Sequence, residues 1–420
     1  MQDHSIIFSR FPRGSLVSFS ISAISDIRFG EGTLSGLPAA VQSFDGVHTV
    51  LLVIDAFLAQ SGLAAKISTE LGETGVKTQV FSDFAGEPKL AHLLAAIEAG
   101  KGADMVIGVG GGSALDIGKI VACCIASGED PMHYALAANP LPKNPLKKIM
   151  IPTTAGTGSE TSATNIFAGP EGKKLWIWGP ETKADLVILD PALTKTLPAN
   201  LTAWCGLDAF IHAFEAATNR NTHRGAQFYA HQALRLITGA LETAVKHPDD
   251  MVARGDVLLG SCFAGIAIDN CGTAIAHNVS HALAGLGPVH HGLATALGFE
   301  ATLAWLVEAD TADLNAAAKA CGVGSAAELP AFVSGWMDRC GITRSLPAAF
   351  KPFDDTDLAR EMRAPENQPM RRSTIRDVTD ADIDRFAAAI MALFLALGGY
   401  NLGFIGYLVT ADVVEHRRRA

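Results

Sequence analysis

Asp208 and His212 lie four residues apart in the stretch LDAFIHAFEAATN. His277 and His281 repeat that spacing in AIAHNVSHALAG, and His290 and His291 follow nine and ten residues later. Helical periodicity puts each i, i+4 pair on one face. One carboxylate and several imidazoles converging from helices make a donor set suited to Fe(II), Zn or a similar divalent ion. Taken singly, each group reads as a helix-stabilising or hydrogen-bonded core residue. Taken together, these ionisable groups in strongly apolar, low-charge helices would each carry a desolvation penalty, and a shared cation is the simplest common compensation.

A second chemistry is written in glycines and hydroxyls. The segment Gly108 to Asp116 (GVGGGSALD) follows an apolar strand and opens a helix, so backbone N–H groups converge at a helix N-terminus and form an anion site. Glycines let the chain approach a pyrophosphate closely, and Ser113 adds a hydroxyl. The pattern departs from the usual dinucleotide fingerprint, since Ser113 stands where a third glycine would fall, and it is not a Walker loop. A ligand-free strand-to-helix turn would use the same glycines. A further loop, IPTTAGTGSE from Ile151 to Glu160, also follows a strand and packs four hydroxyls and two glycines into the eight residues after Pro152. In a parallel sheet such loops face one crevice, and two of them favour a nucleotide phosphate over two idle turns.

Elements that could position these groups are legible along the chain. VLLVID (Val50 to Asp55), TQVF (Thr78 to Phe81), MVIGV (Met105 to Val109), KIMI (Lys148 to Ile151) and LVILD (Leu186 to Asp190) read as buried strands. Phe57 to Glu73, Lys89 to Ala99 and Leu115 to Ala126 carry helical periodicity between them, the pattern of a parallel sheet with crossover helices. Asn165 to Trp178 reads as a hairpin turning at Gly169-Pro170-Glu171-Gly172. After Asp190-Pro191 the strand signal gives way to Ala/Leu-rich helical segments. The organisation expected is an α/β domain over 1–190, a helical domain over 191–397 and an apolar tail over 398–420.

Composition narrows the partners. Among 420 residues, 33 Lys and Arg face 43 Asp and Glu, a net charge of −10, with 49% hydrophobic and 18% charged residues. Such a chain buries large cores and is neither disordered nor fibrous. Its acidic balance offers no footprint for nucleic acid or an anionic membrane, which leaves a small molecule as the expected partner. A homo-oligomer is compatible with the sequence. The seven cysteines are scattered, odd in number and lack a C-x-x-C pair, so a reducing cytoplasm is expected. The N-terminus lacks the apolar core of roughly 7–15 residues that a secretory signal needs. From Phe386 to Ala411 no residue is charged, long enough for a bilayer span. Gly398, Gly399 and Gly403 interrupt the run, and its first half continues an amphipathic pattern from Asp382 and Arg385, so a buried terminal helix followed by an apolar tail is expected instead.

As a set, these motifs resemble the iron-containing, group III, alcohol dehydrogenases, from Phe29-Gly30-Glu31-Gly32 to about Leu393. The resemblance is carried by GGGSALD (Gly110 to Asp116), PTTAGTGSE (Pro152 to Glu160), the DP-x-L-x-x-x-LP stretch from Asp190 to Pro198, GLDAFIHAFEA (Gly206 to Ala216) and H-x-x-x-H followed by H-G. It implies an N-terminal dinucleotide-binding α/β domain with a parallel sheet and an all-α, dehydroquinate synthase-like C-terminal metal domain, with the active site between them. By motif position it implies Asp208, His212, His277 and His291 as metal ligands, His291 being preferred to His290 because it directly precedes a glycine. His281 takes the place of a non-ligand histidine near nicotinamide and substrate.

The resemblance also implies NAD as cofactor, with Fe(II), or Zn, as the metal. Asp55 would meet the adenosine ribose and repel a 2′-phosphate. Gly111, Gly112 and Ser113 would hold the pyrophosphate, with Asp116 nearby. Thr153, Thr154 and Thr157 would line the adenine and ribose side, and Lys174, adjacent to Lys173, would reach the cofactor. The expected activity is hydride exchange between an alcohol and NAD. Alternatives are a lactaldehyde-, hydroxybutyrate- or maleylacetate-type reductase, a dehydroquinate-synthase-like lyase, or a non-catalytic metal and nucleotide binder; four retained ligands argue against the metal-independent and three-ligand branches. Gly86-Glu87-Pro88 replaces the family's Pro-Asn-Pro turn, Ser373-Thr374-Ile375-Arg376 replaces its late Asn-Pro-Arg segment, and the tail after Leu397 has no counterpart.

Overall fold

Among the described residues, eight strands lie between helices in the first half of the chain. They are β1 (Asp26–Phe29), β2 (Thr49–Ile54), β3 (Lys77–Phe81), β4 (Met105–Gly110), β5 (Lys147–Pro152), β6 (Thr164–Ala168), β7 (Lys174–Trp178) and β8 (Leu186–Leu189). The computed structural model describes residues 18–22, 24–170 and 172–395. The N-terminal segment weighed as a signal, Glu171 of the hairpin turn, and the tail with the end of the charge-free stretch lie outside the described residues.

Six strands form one parallel sheet in the order β1-β8-β5-β4-β2-β3. Strands covered on both faces need apolar residues at every position. Alternation then sends Val50, Leu52 and Ile54 to one core with Leu37, Val41, Ile67 and Leu71, and Leu51 and Val53 to the other with Leu93, Ile117 and Ile120. The chain order reverses between β2 and β4, which pair directly, so the crevice beyond their C-terminal ends is the switch point where such sheets receive ligands.

The five strands and the β6–β7 hairpin read from the sequence are present, the hairpin closing through a Gly169 N–H bond to Lys173 O. Two details differ. The edge strand β1 has no counterpart in the sequence reading: DIRF is four residues long and mostly exposed, so it lacks the apolar run of a buried strand. The single helix expected over Phe57 to Glu73 is two, Ala56–Gln60 and Leu63–Gly72, because Gly62 at φ 93° breaks it.

Beyond β8 the described chain is helical. The helices Ala199–Thr218, Arg224–Lys246 and Met251–Cys271 pack on one another, and His291–Val307 and Leu329–Arg339 close a core in which Phe210, Phe214, Phe299 and Trp336 meet edge to face. Met251–Cys271 is long and apolar enough to cross a membrane, yet 67% of its apolar window is buried inside the fold, which marks it as a core helix. The terminal helix Asp380–Leu395 buries Ile383, Phe386, Ala387 and Ile390 along one stripe, as its amphipathic pattern requires.

Candidate functional site

Asp208 and His212 come from the helix Ala199–Thr218, His277 and His281 from Ile275–Leu286, and His291 opens His291–Val307. One ligand atom from each of Asp208, His212, His277 and His291 falls within 4.8 Å of the other three. His290 is turned away against Trp204, with ring centroids 5.0 Å apart. Gly292 permits the close approach that brings His291 to the cluster. A Cβ there would run into the Trp204 carbonyl and stand 3.4 Å from Asp208 Cβ, so only glycine lets the His291 helix close on the Asp208 helix.

Hydrogen bonds orient the rings. His277 Nδ1 donates to Glu215 Oε2 at 2.6 Å, leaving Nε2 3.7 Å from Asp208 Oδ1. His291 Nδ1 sits 3.0 Å from Ser280 Oγ, whose own proton goes to His291 O, and His291 Nε2 is 3.6 Å from Asp208 Oδ1. His212 Nδ1 lies 3.3 Å from Gly156 O, an acceptor, so Nδ1 carries the proton and Nε2 the free lone pair. His212 stacks on His277 at 4.4 Å.

The site's electrostatics follow from burial and from Asp208. Burial pushes His212 down to about 4 and His291 down to about 3, against the pull of Asp208. Burial opposes charge on His277 as well, but Glu215 and Asp208 carry it up to about 9. Asp208, although desolvated, is held well below the usual carboxylate range by His212, His291 and His277. His281 stands beside the cluster, 6.0 Å from the His291 ring, and burial followed by Lys174 keeps it well below the usual imidazole range. Asp208 Oδ1 and His277 Nε2 have no hydrogen-bond partner although buried. A buried carboxylate oxygen and an imidazole nitrogen 3.7 Å apart without a hydrogen bond, with further imidazole nitrogens around them, suit a divalent cation, which would take the place of the proton that Glu215 and Asp208 otherwise draw onto His277.

The glycine loop and the threonine loop meet at the switch point. Asp55 N donates to Val109 O at 3.2 Å, and the Asp55 carboxylate caps the following helix through Phe57 N at 2.9 Å. Thr153 N donates to Gly110 O at 2.9 Å, and Gly111 faces Thr154. A Cβ on Gly112 would stand 2.8 Å from Thr157 Cγ2, so that glycine is demanded by the neighbouring loop as well as by any phosphate. The helix Gly112–Ser127 begins with no side-chain cap, which leaves its first N–H groups and Ser113 free to meet an anion. Asp116 is placed differently from its neighbours: its oxygens are taken by Ile166 N at 3.0 Å and by Ser159 Oγ, with Lys119 Nζ at 3.5 Å. It ties the two loops and the hairpin together beneath the crevice. Lys174 is partly buried and pairs with Glu87 at 2.7 Å, whereas Lys173 is exposed.

Residue reading alone passes over Glu215, Ser280 and the Gly156 carbonyl. Glu215 does carry a signal in the sequence, since it stands seven after Asp208 on the same helical face and is an acid in an otherwise apolar run. A serine and a backbone carbonyl carry no such signal.

A dinucleotide crevice at a sheet switch point, facing a carboxylate and three histidines, defines a metal- and nicotinamide-dependent oxidoreductase. More particularly, the chain belongs to the iron-containing alcohol dehydrogenase family, whose profile, "Iron-containing alcohol dehydrogenase", matches residues 25–191 and whose C-terminal profile matches residues 202–347. It is 34% identical over 272 residues to the long-chain-alcohol dehydrogenase 1 of Geobacillus thermodenitrificans, a match covering 64% of this chain and 68% of that one. It is 29% identical over 269 residues to the NAD-dependent methanol dehydrogenase of Bacillus methanolicus, covering 63% and 70%. The sulfoacetaldehyde reductase of Bifidobacterium kashiwanohense, solved with NAD+, superposes with a TM-score of 0.80 at 25% identity over 90% of this chain and 100% of that one.

Proposed function

We propose that the protein interconverts an alcohol and its aldehyde or ketone by hydride exchange with NAD, using Asp208, His212, His277 and His291 to hold a divalent metal, Fe(II) or else Zn. The observation that carries this reading is the convergence of those four groups, with Asp208 Oδ1 and His277 Nε2 left without a hydrogen bond, against the threonine loop of a dinucleotide-type sheet, which His212 meets at Gly156 O. Bound there, the metal would supply Lewis acidity toward the alcohol oxygen and NAD would supply the hydride acceptor or donor.

The chain's own residues do the rest. Asp55, at the end of β2, receives the adenosine ribose and disfavours a 2′-phosphate. Gly111, Gly112 and Ser113 present backbone and hydroxyl donors to the pyrophosphate, while Thr153, Thr154 and Thr157 wall the adenine and ribose side. Lys174 approaches from the hairpin with Glu87 as its counter-ion. Asp116 holds the loop frame. His281, kept neutral by burial, or the cofactor ribose hydroxyl would relay the alcohol proton toward solvent.

All seven cysteines are free and six are buried, which supports a reducing, cytoplasmic setting. An alcohol and aldehyde panel followed at the NADH absorbance, with metal content measured on the same sample, tests the function. Metal-loaded protein that reduces NAD with no alcohol of any chain length would overturn it.

A further inference from the structure

We infer that Glu215 is a positioning residue of the metal centre: its carboxylate locks His277 in the Nδ1–H form, aims Nε2 into the site, and thereby sets how tightly the metal is held. This rests on the metal-dependent reading above and assigns a role to a residue outside the four ligands.

Glu215 follows Asp208 by seven residues and His212 by three, so all three project from one face of Ala199–Thr218. Its side chain is 2% exposed. Oε2 accepts His277 Nδ1 at 2.6 Å and Ala274 N at 2.6 Å, while Oε1 accepts Ala276 N at 2.8 Å. Both backbone donors stand at the start of Ile275–Leu286, whose own N-cap, Ala274, has no side chain able to accept them. One carboxylate from a neighbouring helix therefore seats the helix that carries His277 and His281 and fixes the His277 ring in the same contact. Both oxygens are occupied as acceptors, so the proton of the short bond belongs to Nδ1, and Nε2 is the atom left to meet a metal.

The other two histidines are held by weaker groups. His212 leans on the Gly156 carbonyl at 3.3 Å, and His291 on Ser280 Oγ at 3.0 Å. Of the three, only His277 has an acidic side chain behind it, and a carboxylate behind an imidazole raises its basicity as a ligand. The substitution Glu215→Gln would leave one acceptor oxygen for three donors. The new amide nitrogen would then face either the Ala276 N–H or the imidazole, and in the second case it would drive the proton onto Nε2, the ligating atom.

The test compares full-length wild type with Glu215→Gln by zinc titration of the metal-free protein against a chromophoric chelator, thermal melting, and proton NMR of the zinc-saturated protein. Wild type should show a strongly downfield imidazole proton, assigned to His277 Nδ1 by [15N]histidine labelling and by its loss in His277→Asn. Glu215→Gln should bind zinc about 10- to 100-fold more weakly and lack that proton at saturating zinc, with metal-free melting lowered by the buried donors left unmet. Unchanged zinc affinity, or the downfield proton persisting in the variant, overturns the inference. So does weaker binding with the proton retained, which is the signature of a helix cap alone. Should Glu215→Gln not fold, the wild-type spectrum still decides, because absence of a His277 Nδ1 proton overturns it. None of these readouts uses alcohol, so zinc-competent but inactive protein would count against the proposed function and leave Glu215 in place.

Discussion

Asp208 Oδ1 stands 3.7 Å from His277 Nε2, beyond hydrogen-bonding reach, and neither atom has another hydrogen-bond partner although both are buried. Asp208 and Glu215 together draw a proton onto His277, so a bound cation would replace that proton between the two atoms and be held by the buried carboxylate charge. Asp208→Asn keeps the shape but removes the charge and turns an amide into the cluster. Metal content should fall from near stoichiometric to a small fraction, and alcohol-dependent NADH formation should drop at least about 100-fold. Metal analysis and activity on one preparation check this; a variant with full metal and full activity would remove Asp208 from the ligand set.

Asp55 separates the two nicotinamide cofactors by charge. A carboxylate beside the adenosine ribose repels a 2′-phosphate, so Asp55→Gly should raise the NADP-to-NAD ratio of kcat/KM by at least about 10-fold. The cap on Phe57 N is a side issue, because glycine at an N-cap costs only about a few tenths of a kcal/mol. Steady-state kinetics with both cofactors are sufficient, and an unchanged ratio would remove Asp55 from cofactor choice.

Gly112 and Thr157 lock the two crevice loops together. Alanine at 112 would place a methyl 2.8 Å from Thr157 Cγ2 and 2.9 Å from its Oγ1, forcing the loops apart at overpacking costs of about 1–3 kcal/mol. The KM for NAD should rise about 10-fold, and adding Thr157→Ser, which deletes the clashing methyl, should restore part of it. If the double variant were no better than Gly112→Ala alone, the loop contact would not be the cause.

What was legible in the sequence was what repeats or what costs energy to bury. Strands β2, β4 and β8, and β5 beyond its two lysines, are apolar runs because both faces are covered, and the crossover helices show their period. The i, i+4 spacing of Asp208 and His212 puts two ligands on one face, but it does not say whether His290 or His291 joins them. The approach that brings His291 in is permitted by the Gly292 backbone meeting Trp204, a contact between helices far apart in the chain. β1 is hidden because an exposed edge of four residues needs no apolar pattern. Asp116 reads as a neighbour of the pyrophosphate because it closes the GGGSALD motif. Its oxygens instead go to Ser159 and Ile166, partners 43 and 50 residues away that no local spacing reveals.

Glu160, the last residue of the threonine loop, makes the stability of the fold depend on pH. It is fully desolvated, its Oε1 has no hydrogen-bond partner, and burial pushes its carboxyl up from 4.5 to about 7 despite Lys119 nearby. The folded state therefore takes up a proton that the unfolded chain would release. The associated stability is complete below about pH 4.5 and is lost as pH rises through about 7. Glu160→Gln replaces the titrating group by a neutral one of the same shape, so wild type and variant should be similarly stable at about pH 5. By about pH 8 the variant should be the more stable, by roughly 1–3 kcal/mol. Histidines buried as neutral rings act in the opposite sense at low pH, but they are common to both proteins and cancel in the difference. Denaturant melts of the two metal-free proteins from pH 5 to 8 read that difference directly. Parallel curves would mean that Glu160 is ionised in the fold at neutral pH, with Lys119 rather than burial deciding its charge.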